Sequence, residues 1–208
     1  VDQALNMTNF LAIHSEKSGL GLYRDCLEPA IVAEDTPRGR ELAAAVARTG
    51  GAATIIATDV SDYRLGLAKQ VGADHVLNAK TDGADAIAAA IQEITRGEGV
   101  DASLEMSGHP TALHHAFRSV KNGGRVTLFG IPTGPVTCDL ANEVIFKGIR
   151  VHGITGRRLF STWYRLAGLF KAGLNIRPVL THTFALKDFA QGFELIKSGQ
   201  CGKVVLFP

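Results

Sequence analysis

Three strand ends in this sequence carry residues that could do chemistry. One is acidic: the β-branched apolar run Ala53–Asp59 (ATIIATD) finishes on a carboxylate. Two are bare backbone: Arg125–Ile131 (RVTLFGI) carries Gly130, with Pro132 following, and Arg150–Thr155 (RVHGIT) carries Gly153, with Gly156 following. A carboxylate ending the second strand of a doubly wound sheet accepts hydrogen bonds from ribose hydroxyls and repels a 2′-phosphate, which favours NAD over NADP. Glycine has no Cβ and lets a ligand come close to the main chain. Two neighbouring strands that both end this way suit one ligand lying across them.

Each signal also has a plainer reading. Asp59 stands where a carboxylate helps to cap the next helix, although the surrounding pattern favours the ribose reading. The glycine-bearing ends also serve as ordinary tight turns. Arg64 lies one turn into the helix and faces back over the strand end, where it reaches adenine or ribose, or else it is a solvated helix arginine. His114, His115, His152 and His182 have no ligand-like spacing and read as surface or satisfied core histidines. Cys26, Cys138 and Cys201 are too scattered for a disulfide framework or a metal clip.

The elements that must position these residues follow a clear rhythm. Ser61 can cap a helix Asp62–Val71 that Gly72 ends, and His75–Ala79 is the next strand. Ala84–Arg96 is a helix stopped by Gly97 and Gly99, Val100–Met106 a strand, and Pro110–Val120 a helix started by proline and closed by Asn122-Gly123-Gly124. After Arg125–Ile131 come a short helix at Leu140–Phe146, the strand Arg150–Thr155, and a helix Arg158–Lys171. In that last helix Leu159, Trp163, Leu166, Leu169 and Phe170 are spaced for one buried face. Strands alternating with helices predict an α/β fold, a doubly wound parallel sheet of Rossmann type. The tail Val179–Phe184, Lys187–Lys197 and Lys203–Phe207 reads as a separate small strand–helix–strand unit. Before residue 50 the rhythm fails. Val1–Asp25 gives only weak helix signals, Ala30–Glu34 suits a short strand, and Asp35-Thr36-Pro37 suits the start of a helix reaching Glu41–Arg48.

From about Glu41 to Pro208 the chain resembles the zinc-type medium-chain dehydrogenases, most of all the L-threonine 3-dehydrogenase family. The segments that carry the likeness are TDVSDYRLGLAKQVGAD (58–74), VDASLEMSGHP (100–110), NGGRVTLFGIP (122–132), EVIFKGIRVHGITGRRLFSTWY (143–164) and SGQCGKVVLF (198–207). LEMSG and GRRLFSTWY separate that family from its relatives. The resemblance implies that Asp59 and Arg64 contact the adenosine end of NAD, and that Phe129, Gly130, Ile131, Ile154 and Thr155 lie along its nicotinamide side. The family commonly has tyrosine where this chain has Thr155. It also implies oxidation of the L-threonine 3-hydroxyl to 2-amino-3-oxobutanoate, in cytoplasmic homo-oligomers, usually tetramers.

Two departures limit the expected activity. No G-x-G-x-x-G turn precedes Glu41–Arg48; the chain reads AEDTPRGRE there, with Gly39 alone. A helix start beside Arg38 and Arg40 can still draw a phosphate, but a replaced segment is the plainer reading. The family's catalytic zinc needs a cysteine, a histidine and a carboxylate near the N-terminus, and its structural zinc needs four close cysteines; three scattered cysteines do not supply them. The expected organisation is an unmatched segment 1–40, a Rossmann domain 41–175, and at 176–208 the C-terminal segment of a catalytic domain that is otherwise missing. Such a chain carries no catalytic or metal-binding residue of its own and turns over little alone. The alternatives are a non-catalytic binding or oligomerisation module and a zinc dehydrogenase of another alcohol or polyol. In 208 residues, a 20% charged share and a formal net charge of +2 give no sign of a nucleic-acid partner. No run approaches the roughly 18 apolar residues of a membrane helix, and no leader pattern opens the chain, so a soluble protein with a small-molecule substrate is expected.

Overall fold

A computed structural model describes residues 10–14, 40–156 and 160–208. They form a six-stranded sheet in the order β3-β2-β1-β4-β5-β6 and a two-stranded sheet of β7 and β8. The strands of the first sheet are β1 (Phe10–His14), β2 (Thr54–Asp59), β3 (His75–Asn78), β4 (Val100–Glu105), β5 (Val120–Leu128) and β6 (Arg150–Gly153). This is the doubly wound strand order whose carboxyl edge binds ligands. The pairs β2–β3, β4–β5 and β5–β6 are parallel.

β1 is the exception, running antiparallel to both neighbours with Ala12 opposite Ile56 and Ser103. Local sequence signals over Val1–Asp25 are weak and helical. A central slot flanked by two strands offers hydrogen bonds to a strand of either direction, and that tertiary demand outweighs a weak local preference. The expectations for Ala30–Glu34, for the helix start Asp35-Thr36-Pro37, and for Arg38 and Gly39 lie outside the described residues.

Helices cover both faces: α1 (Arg40–Thr49), α2 (Asp62–Gln70), α3 (Gly83–Ile94), α4 (Pro110–Ser119) and α5 (Ser161–Lys171). One core cluster joins Ala44, Val46 and Ala47 of α1 with Ile55, Ala57, Ala68, Ala102 and Leu104. The opposite cluster joins Ile87, Ile91, Leu113, Ala116 and Phe117 with Ile56, Val100 and Val126. Ile55 and Ile56 point to opposite clusters, as successive residues of a strand covered on both faces must. Burying each such side chain contributes about 1.5–3 kcal/mol. Arg48 ties the end of α1 to β2 and α2, donating to the carbonyls of Ala52 and Gly72 and pairing with Asp74.

α5 does not bury the single face its apolar spacing suggests. Thr162 is buried and Leu166 and Leu169 pack on the first cluster, whereas Trp163 and Phe170 are exposed. Positions 162, 166 and 169 share one helical face, and 163 and 170 share the adjacent one. Leu159 lies outside the described residues. In the tail, β7 (Leu180–Ala185) and β8 (Lys203–Phe207) pair in parallel, linked by α6 (Phe189–Ser198). Leu174 and Val179 sit in the first core cluster, so this unit rests directly against the α1–α2 side of the sheet. Among the described residues no helix is long and apolar enough to cross a membrane.

Candidate functional site

The site begins at the carboxyl end of β2, where every residue from Ile55 to Asp59 is buried. Ser61 follows in extended conformation and caps α2, its side chain accepting from the Arg64 amide at 3.5 Å. The cap turns the chain so that the Ser61 amide donates to Asp59 Oδ1 at 2.8 Å. One helical turn on, Arg64 reaches back: Nε donates to Oδ2 and Nη2 to Oδ1, each at 2.9 Å. This is the two-pronged guanidinium–carboxylate pair, stronger than a single contact. The side chains are only 13% (Arg64) and 6% (Asp59) exposed. Arg64 is therefore not a solvated helix arginine, and Asp59 does help to organise the start of α2. A ribose hydroxyl arriving at this carboxylate competes with a guanidinium for it.

The second group lies at the ends of β5 and β6, which are in register from Arg125 opposite Arg150 to Leu128 opposite Gly153. Phe129 and Ile154 are half-buried against the first core cluster, and the Ile154 amide donates to the Leu128 carbonyl at 3.0 Å. Ile131 and Thr155 are exposed. The structure thus brings Phe129, Gly130, Ile131, Ile154 and Thr155 to one corner of the carboxyl edge. Asp59 and Arg64 lie on the same edge three strands away, roughly 14 Å at ordinary strand spacing.

The two strand-end glycines prove unlike. A Cβ on Gly153 would meet nothing within 4 Å, so that backbone is open to an approaching ligand. A Cβ on Gly130 would lie 2.0 Å from the Gly108 amide nitrogen. Gly130 therefore serves a close approach of two protein loops.

The carboxylate of Glu105 was not singled out from the sequence. It ends β4 with no exposure. Its carboxylate accepts from the Ser107 amide (2.7 Å), the Ser107 hydroxyl (2.6 Å) and the Gly108 amide (3.1 Å). The available signal was an acidic residue closing a strand, as at Asp59, with Ser107 and Gly108 two and three residues on.

His114 Nδ1 lies 3.2 Å from the buried Glu143 carboxylate, which Arg118 also contacts. Burial holds the His115 pKa below its ordinary value, with the charges of Arg118 and His114 acting the same way. His182 Nδ1 lies 2.9 Å from Thr181 Oγ1, and His152 is exposed. Burial, and then Glu143, push the Cys138 thiol up. Among the described residues no group of three or more His, Cys, Asp or Glu side chains could hold a metal ion.

Residues 41–172, the stretch that builds this edge, match the family model for zinc-binding dehydrogenases. The chain belongs to that family. Within it, the sequence is 47% identical over 169 residues to the L-threonine 3-dehydrogenase of Bacillus licheniformis, covering 80% of this chain and 48% of that one. It is 46% identical over 168 residues to the L-threonine 3-dehydrogenase of Bacillus subtilis, with the same coverage. The crystal structure of an alcohol dehydrogenase from Thermotoga maritima superposes with a TM-score of 0.74 at 25% identity, over 93% of this chain and 59% of that one. The chain spans about half the length of the curated relatives it matches.

Proposed function

We propose that this chain is the NAD-binding half of an L-threonine 3-dehydrogenase, an oxidoreductase that converts the threonine 3-hydroxyl to the ketone of 2-amino-3-oxobutanoate. The observation that carries the reading is a buried carboxylate, Asp59, closing β2 at the ligand-binding edge of a doubly wound sheet. The likeness to L-threonine 3-dehydrogenases supports the substrate. NAD, when bound, supplies the acceptor for the hydride. Asp59 accepts the adenosine ribose hydroxyls, and Arg64 moves off the carboxylate to lie beside the adenosine. Phe129, Gly130, Ile131, Ile154 and Thr155 line the nicotinamide end, with the open Gly153 backbone letting the ligand lie flat.

The family's zinc finds no fit among the described residues, so activation of the alcohol is not assigned to this chain, and we read the chain as nearly inactive alone. Residues 41–175 form the cofactor domain and 176–208 belong with a catalytic domain, in a cytoplasmic homo-oligomer. Calorimetric titration of the purified chain tests this: NAD binds, and NADP binds at least about tenfold more weakly because a 2′-phosphate meets a carboxylate. Equal affinity for the two would overturn the role of Asp59. A second reading, a non-catalytic module, is favoured by the existing claim of Arg64 and Ser61 on the Asp59 carboxylate. It predicts binding of neither cofactor.

A further inference from the structure

We propose that Glu105 is a positioning residue for the nicotinamide end of the cofactor site, acting through the backbones of Gly108 and Gly130; this rests on the NAD reading above. A carboxylate with no exposure is costly unless it is hydrogen-bonded. Glu105 meets that demand with hydrogen bonds from the residues that follow it. Its Oε1 accepts from the Ser107 amide, the Ser107 hydroxyl and the Gly108 amide, and its Oε2 lies 3.2 Å from the same Gly108 amide. These bonds fold the chain after β4 into a tight turn, in which Gly108 has φ +70°. Ser107 Oγ accepts from the His109 amide at 3.0 Å and carries the turn into α4.

The same residue holds the facing segment. The Glu105 carbonyl accepts from the amides of Phe129 (2.8 Å) and Gly130 (3.0 Å). Its side chain fixes one loop and its main chain fixes the other, and the two loops touch. A Cβ on Gly108 would lie 2.4 Å from the Ile131 carbonyl oxygen, and one on Gly130 would lie 2.7 Å from Glu105 Oε2. The path of Phe129–Gly130–Ile131 is therefore set by the turn that Glu105 holds, and Ile131 is left 77% exposed on the edge. Asp59 and Arg64 stand three strands away and share none of these bonds. Loosening the turn moves the nicotinamide wall and leaves the adenosine end in place.

The full 208-residue chain is titrated with NAD and with ADP-ribose, which lacks the nicotinamide, in unsubstituted, Glu105→Gln and Ser107→Ala forms. Glutamine has nearly the same shape but sets an amide donor against the Gly108 amide. The expected result is a fall of about tenfold in NAD affinity relative to ADP-ribose affinity for Glu105→Gln, with ADP-ribose itself unchanged. Ser107→Ala shifts the ratio in the same direction by less. An unchanged ratio, whether both ligands weaken together or neither does, overturns the inference. If circular dichroism shows Glu105→Gln unfolded, the ratio for Ser107→Ala decides. An unsubstituted chain that binds ADP-ribose and NAD not at all overturns the NAD reading and the inference with it.

Discussion

Two strands of the same sheet, β2 and β4, each end in a buried carboxylate on the same edge, and the two are satisfied in opposite ways. Asp59 is held by a side chain, the Arg64 guanidinium, together with the Ser61 amide. Glu105 is held by two amides and a hydroxyl from Ser107 and Gly108. A guanidinium on a flexible stem can turn aside and leave its acceptor to another donor. Main-chain amides in a turn cannot move without unmaking the turn. Two acidic strand ends that look alike in sequence therefore differ: the pairing at β2 is open to exchange, and the one at β4 is framework.

The largest expected effect breaks the framework side. Gly130→Ala drives a methyl group into the Gly108 amide, and because both partners are backbone the loop must shift. Urea unfolding should show a loss of about 3 kcal/mol, and a loss below about 1 kcal/mol would mean the two loops separate easily. A smaller effect tests the exchangeable side. Asp59→Asn keeps an acceptor for Ser61 but removes the charge facing Arg64, at a cost of about 2 kcal/mol in the same assay. It should also bring the NAD and NADP affinities together in calorimetry, and preference retained in full would show that the discrimination lies elsewhere. The smallest effect sharpens the contrast between the glycines. Gly153→Ala meets no neighbour, so its stability should stay within about 0.5 kcal/mol of the unsubstituted chain. A large loss there would show that β6 ends under a constraint its surroundings do not reveal.

What could be read from the sequence was what local chemistry decides. The run ending at Asp59, the Ser61 cap and the stop at Gly72 all appear as expected, because caps, β-branched runs and left-handed glycines act within a few residues. The tail's strand–helix–strand order is there for the same reason. The rest depends on partners distant in sequence. Phe10–His14 becomes a strand only because β2 and β4 leave a slot between them. Trp163 and Phe170 look like core residues until the neighbouring face, through Leu166 and Leu169, takes the contact. At Gly130 the glycine was visible but its occupant was not, since Gly108 comes to it from another strand. The acid at Glu105 was readable as a strand-end carboxylate; its tie to Phe129 and Gly130 was not, because it crosses from β4 to β5.

Leu174 and Val179, which flank the passage from α5 into the tail, are both buried in the cluster shared with α1 and β2. Ile176, between them, packs on it too. A joint pinned on both sides cannot act as a swivel. Where the tail and the sheet move relative to each other, the motion open to them is a small shear of packed surfaces, because a hinge needs residues free to absorb large backbone rotations.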